Sequence, residues 1–367
     1  MLLQQDLRNR NNGLTQVRLV LAFFVLFDHA FALNGRPHPS VGYLPMSLSQ
    51  LAVWLFIFLS GLLCFRSAES HGVHRYLFLR AARLMPGYWC CLLLMGMLLL
   101  PLFLSLGFAG DTSWTELPGI TLQFWLKNLF LDQGQFAPEG WLSAFPVRAF
   151  NGSLWTLQPE WMGYIVILLL APIFLRSARF ALICFGLFNL FIAIWPRPFR
   201  LLLKSLLAGY GFEIDSRSYL HLALYLLAGL LFYRFADRIP LRRSWAAVAL
   251  TILLVAGLSR LAFSLLAPLL LPYLLLVLAG LIRWPWQASD GDLSYGVYLY
   301  SFPLQQLLVG FGLLRGGALP LPLQIFLTVL LVLPIAWLSW NWVERPILRW
   351  ATSLQLRPLP LSSNRLP

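Results

Sequence analysis

Residues 14–33 read LTQVRLVLAFFVLFDHAFAL, twenty mostly apolar residues with three ionisable side chains, Arg18, Asp28 and His29, among them. About 20 apolar residues in a helix span the hydrocarbon of a bilayer, so this segment predicts a transmembrane helix. Nine further apolar stretches follow at 47–65, 85–108, 156–175, 178–195, 218–235, 244–259, 261–282, 293–314 and 320–342. The expected fold class is therefore all-α, a polytopic membrane protein of about ten transmembrane helices. Pro101 and Pro334 fall inside spans, where neighbouring helices can satisfy the carbonyls a proline frees.

Composition points the same way. Of 367 residues, 59% are hydrophobic and 11% charged, less than half the charged share of roughly 25% in a soluble domain. So little polar surface cannot cover a water-soluble chain of this size, which also excludes disorder and a disulfide scaffold. The net charge of +13 comes from 25 Arg and 2 Lys scattered between apolar runs. The bilayer, not nucleic acid, is the expected partner. With a cytoplasmic N-terminus, eighteen of the 27 basic residues fall on the inner side, the bias that sets orientation; both termini are expected in the cytoplasm. Cys64, Cys90, Cys91 and Cys184 lie in apolar stretches without disulfide or zinc spacing and read as small hydrophobes. His71 and His74 are assigned no ligand role, and no metal is expected. The polar start, MLLQQDLRNRNNG, predicts no removable signal peptide. One membrane domain over 1–350 and a short cytoplasmic tail over 351–367 are expected, with an outer loop at 109–155 whose aromatics read as interfacial anchors and a second, basic outer stretch at 196–217.

Ionisable groups inside spans are costly and mark pathways or sites. Arg18 and His29 are eleven residues apart, which leaves them about 20° apart on one helix face and about 16 Å apart along the axis. They cannot bond each other, but they suit the two ends of an elongated ligand. Asp28 points roughly 100° away from His29 and is a poor partner for it. The competing reading is that Arg18 snorkels to the surface and His29 is a satisfied core residue. Arg80 and Arg83, just before the third span, share a helix face; two guanidiniums there read equally as a phosphate clamp or as positive-inside anchors. At the outer start of the fourth span stands NGSLWTLQPEWMGY, residues 151–164. Pro159 suits a first helical turn, Ser153 or Thr156 suits the cap, and Glu160 suits the macrodipole. Glu160 is expected at the outer face, away from the arginines.

These segments fall into a recognisable order: Arg18 with His29, FIFLSGLLC at 56–64, Arg80 and Arg83 followed by Pro86 and Tyr88, Ser153-Leu154-Trp155 with Glu160, Ser294-Tyr295 with Tyr298-Leu299, and Glu344-Arg345-Pro346. In this the chain resembles the acyltransferase 3 family of multispan bacterial membrane proteins. It departs from the family at Ser301, where many members carry a histidine.

The resemblance implies a membrane O-acyltransferase of the bacterial inner membrane. It would move an acyl group, most often acetyl, from cytoplasmic acyl-CoA to a sugar hydroxyl of a surface polysaccharide such as an O-antigen or exopolysaccharide, presented as a glycan or lipid-linked glycan. It implies His29 and Glu160 as catalytic residues, Arg18, Arg80 and Arg83 as the donor's phosphate ligands, and Ser153, Trp155, Tyr295 and Tyr298 as substrate contacts. An imidazole suits either a general base or a transient acyl carrier, and the sequence leaves both open. The competing class is a glycan-lipid transporter or flippase, which the chain's lack of an inverted repeat disfavours.

Overall fold

The computed structural model describes residues 2–8, 13–131, 134–194, 205, 216–281 and 291–354. Most of the 196–217 outer stretch and the tail beyond 354 lie outside them. The described chain is helical, with only isolated bridges between Leu2 and Pro240 and between Ser40 and Ser47. A short α1 (Leu3–Arg8) leads into α2 (Leu14–Leu33), α3 (Leu48–Ser70) and α4 (Val73–Leu94), which continues through a π turn into α5 (Leu100–Ser105). Then come α6 (Leu117–Asn128), α7 (Leu157–Arg176), α8 (Ala178–Ile194), α9 (Ser216–Arg234), α10 (Arg243–Ala256), α11 (Arg260–Leu281), α12 (Ser294–Leu314), α13 (Leu321–Ser339) and α14 (Arg345–Ser353).

Seven helical stretches are long and apolar enough to cross a membrane, and three shorter apolar helices, Ala178–Ile194, Tyr219–Arg234 and Arg243–Ala256, occupy the remaining positions where the sequence placed spans. Helices α3 and α4 are separated by His71 and Gly72 alone. Arg80 and Arg83 therefore sit inside the third long helical stretch, Val73–Ser105, and not just before it. Two prolines shape their helices. Pro101 follows the π turn at Met95–Leu99, and Pro346 follows a second one at Trp340–Glu344. A proline ring clashes with the carbonyl four residues earlier, here Met97 and Trp342, and widening the helix there relieves the clash.

Helix α12 runs through the middle of the bundle, buried at every residue from Ser294 to Pro303. Helices α3 and α9 approach most closely at Gly61 and Gly229, where a Cβ on Gly61 would stand 2.4 Å from the Leu226 carbonyl oxygen. Small residues let helix backbones meet in this way. Outward-facing Leu169, Leu187 and Phe326 are more than 60% exposed, as expected of side chains that face lipid rather than water. Part of the anchor expectation for 109–155 is corrected: Trp141, Phe145 and Phe150 are buried, with Phe145 and Phe150 packed on Phe103, Phe145 also on Phe108, and Trp141 on Phe150, as tilted and edge-to-face ring pairs. Trp114 and Phe130 remain exposed.

Candidate functional site

Arg18 and His29 do lie on one side of α2, and each opens into a different cavity. The first cavity, about 110 Å³, is lined by Arg18, Arg80 and Arg83 with Ser60, Cys64, Glu160, Tyr164 and Tyr295. Its three guanidiniums are not equivalent. Arg18 reaches Asp292 at 2.6 Å, and Arg83 reaches the same Oδ2 at 2.6 Å and Glu344 at 3.0 Å. The Asp292 carboxyl is pushed up by burial, but Arg18 and Arg83 outweigh that and hold it below the usual carboxylate range. Ser294 adds a side-chain bond to the other oxygen. The second π turn brings Glu344 into this network, and the Ser339 hydroxyl completes its shell at 3.1 Å. Arg80, by contrast, has no carboxylate partner among the described residues. It donates to Cys64 Sγ at 3.2 Å and lies beside the Tyr76 and Tyr164 rings. Its charge is the one left for an anion entering the cavity.

The second cavity, about 220 Å³, is lined by His29, Ser49, Gln50, Trp54, Ser153, Trp155 and His221, with Val53, Thr156 and Tyr298 shared between both cavities. His29 Nδ1 is 3.3 Å from Ser153 Oγ, and its ring packs edge-on against Phe302 at 5.2 Å. Asp28 is committed elsewhere, pairing with His38 at 2.6 Å, as its direction on the helix requires. The expected capping by Ser153 or Thr156 does not occur. Helix α7 starts at Leu157 after a 3-10 turn with no side-chain cap, Ser153 serves His29, and Thr156 pairs with the Tyr298 hydroxyl, which also donates to the Ser153 carbonyl.

Glu160 is a correction. Instead of lying away from the arginines, it lines the arginine cavity, accepting from Ser60 Oγ at 2.9 Å and Tyr164 OH at 2.6 Å. Leu157, Glu160 and Tyr164 share one helix face and all line the arginine cavity. The substrate-contact candidates also divide: Ser153 and Trp155 line the histidine cavity, Tyr295 the arginine cavity, and Tyr298 both. The Tyr295 hydroxyl is already bonded to the Leu84 carbonyl at 2.7 Å. Ser301, the departure from the family pattern, is buried, and among the described residues its hydroxyl has no hydrogen-bond partner. The sequence reading missed Asp292 altogether and quoted Glu344 without a role; the signal available for both was that Arg18 and Arg83, placed inside helices, need counter-ions. It also passed over Trp54 and Gln50. Among the described residues no three His, Cys, Asp or Glu side chains cluster to hold a metal ion.

Known proteins bear on this arrangement in two ways. An "O-acetyl transferase" of Shigella phage Sf6 is 27% identical over 352 residues, 93% of this chain and 97% of its own length. No solved structure matches. The acyltransferase domain family matches residues 11–341, a range that holds both cavities and all of the ion-pair network but Glu344. That decides for an enzyme over a transporter: the chain belongs to the acyltransferase 3 family and is an acyltransferase.

Proposed function

We propose that the protein carries an acyl group, acetyl in the first instance, from acyl-CoA held at the arginine cavity to a sugar hydroxyl held at the His29 cavity. The observation that carries this reading is the shared wall: Val53, Thr156 and Tyr298 line both cavities, so a thioester delivered past the arginines meets a hydroxyl beside the histidine. Arg80 binds donor phosphate with its unpaired charge, and Arg18 joins it where the ligand competes with Asp292. Glu160 balances the surplus positive charge of the donor cavity. Ser153 accepts from Nδ1–H, which leaves the Nε2 lone pair of His29 as general base. The hydroxyl oxygen attacks the thioester carbonyl as its proton passes to Nε2, the C–S bond breaks, and that proton leaves with CoA as the free thiol.

The donor is cytoplasmic and the acceptor, a glycan or lipid-linked glycan, is presented from the opposite face of the inner membrane. In this reading the three shorter helices cross as well, giving ten spans and cytoplasmic termini. Contacts at the two ends support it: Leu3 bonds the Ile239 carbonyl at one end of the bundle, while Tyr43 bonds the Leu254 carbonyl near the far end of α10. Purified protein incubated with radiolabelled acetyl-CoA tests the donor half: release of CoA is expected, with a steep loss in His29→Ala. Equal turnover in both proteins would overturn it. The surface glycan of a deletion strain, compared by NMR for missing acyl groups, tests the acceptor half.

A further inference from the structure

The two cavities differ in charge as sharply as in position. Three guanidiniums and one carboxylate line the first; among the described residues no Asp, Glu, Lys or Arg lines the second. What the second offers is aromatic surface and neutral hydrogen-bonding groups. Trp54 is stacked on His221 at 5.3 Å and on Tyr225 at 5.2 Å, and Trp155 leans on Tyr219 at 6.3 Å. Rings braced in this way are preorganised and lose little freedom on binding. The indole N–H groups of Trp54 and Trp155 make no hydrogen bond among the described residues, unlike those of Trp89, Trp125 and Trp141. Gln50 spends only its Oε1, on the Ser47 N–H of its capping box, so its amide N–H groups stay available at the exposed mouth.

From these observations we infer that Trp54, Trp155 and Gln50 form the acceptor subsite, that it holds one sugar ring, and that it takes a neutral hexose or deoxyhexose and rejects an acidic one. The inference rests on the proposed glycan acceptor. A pyranose presents apolar C–H faces to aromatic rings and hydroxyls to N–H donors, which is the chemistry on offer here. A uronate carboxylate would lose its hydration and meet no Lys or Arg in the cavity, only the imidazoles of His29 and His221. A cavity of about 220 Å³ leaves no room for a long oligosaccharide; the rest of a glycan chain would lie outside it.

The test is saturation-transfer NMR on the detergent-solubilised full-length protein without acyl-CoA, using methyl hexoside, methyl hexuronide and the methyl ester of that hexuronide. Saturation should reach the hexoside and the esterified uronide and be at least ~10-fold weaker for the free uronide, about one lost compensating interaction. Trp54→Ala should abolish the hexoside signal, and Trp54→Phe, which keeps a ring but loses the N–H, should keep part of it; thermal unfolding checks that both variants are folded. Equal saturation of hexoside and free uronide, no saturation of the hexoside, or a full signal in folded Trp54→Ala would each overturn the inference. Acetyl-CoA turnover is measured separately. Turnover absent with sugar binding intact would overturn the donor reading and leave the subsite standing.

Discussion

Arg18 of α2 and Asp292, two residues before α12, pair at 2.6 Å although 274 positions separate them in the chain. The pair ties the helix that carries His29 to the central helix that carries Tyr298. Because Arg83 shares the same carboxylate oxygen, Asp292 holds two cations in place and stands where an anionic ligand of Arg18 would have to compete.

Removing that carboxylate is expected to weaken the fold. Asp292→Asn keeps the side chain's shape but leaves Arg18 unpaired and Arg83 with Glu344 alone, and breaking a buried pair from one side typically costs about 3–5 kcal/mol. Arg18 is 27% exposed on its side chain, so the lower end is expected, read as a fall in the thermal midpoint in detergent. The acid limb gives a second reading. A carboxyl whose folded pKa is depressed contributes stability above its unfolded value, near 3.9, and loses it as pH falls towards the folded value. Asp292 is depressed, so its contribution should stay flat from pH 7 to about pH 5 and fade below pH 4. The gap between wild type and Asp292→Asn should close over that lower range.

Arg80 and Arg83 should separate on mutation. Arg83→Gln strands the Glu344 carboxylate, 1% exposed, and leaves Asp292 with Arg18 alone, and protein yield should collapse. Arg80→Gln strands none, because Arg80 has no ion pair among the described residues and its bond runs to Cys64. Yield should hold while the acyl-CoA needed for half-maximal rate rises ~10- to 100-fold, the range of one charged hydrogen bond to phosphate. Equal loss of yield in both variants would make Arg80 a structural residue.

Gly61, the glycine of the FIFLSGLLC stretch, should tolerate no side chain. A Cβ there would stand 2.4 Å from one backbone oxygen of α9, and a Cβ on Gly229 would stand 2.4 Å from the Phe58 carbonyl oxygen. Neither obstacle is a flexible side-chain tip, so the two helices would have to part. Gly61→Ala and Gly229→Ala are each expected to lower the thermal midpoint sharply or prevent accumulation. By contrast Gly119, with nothing within 4 Å of its Cβ position, should accept alanine.

Much of the fold was legible because helix periodicity and hydrophobic length are local properties. The eleven-residue spacing of Arg18 and His29 placed both on the face that opens into the cavities, and all ten apolar stretches became helices. What failed depended on depth or on distance along the chain. Helix α7 starts at Leu157 with Glu160 in its first turn, as the sequence indicates; which neighbours that turn faces, here Ser60 and Tyr164 beside the arginines, is a tertiary matter. Asp292 is invisible to periodicity because its partners come from α2 and α4. Ser153 and Thr156 had the residue type and position of caps, yet tertiary partners took both hydroxyls.

The sharpest prediction compares His29 with Ser153. His29→Gln keeps bulk and some hydrogen-bonding capacity but removes the titratable nitrogen, so transfer per inserted protein should drop ~10²-fold or more if the imidazole moves the proton. Ser153→Ala leaves the imidazole and removes only the hydroxyl 3.3 Å from Nδ1. That contact is long for a hydrogen bond, and its loss should slow transfer ~3- to 10-fold, about 1 kcal/mol. The two effects should not multiply in the double variant, because without the imidazole the serine has nothing to orient. Yield should be near wild type in both single variants, since the ion pairs of Arg18 and Arg83 are untouched. A histidine that merely packs against Phe302 would give the reverse, lower yield with near-normal activity per molecule, and retained transfer in His29→Gln would remove it from the chemistry.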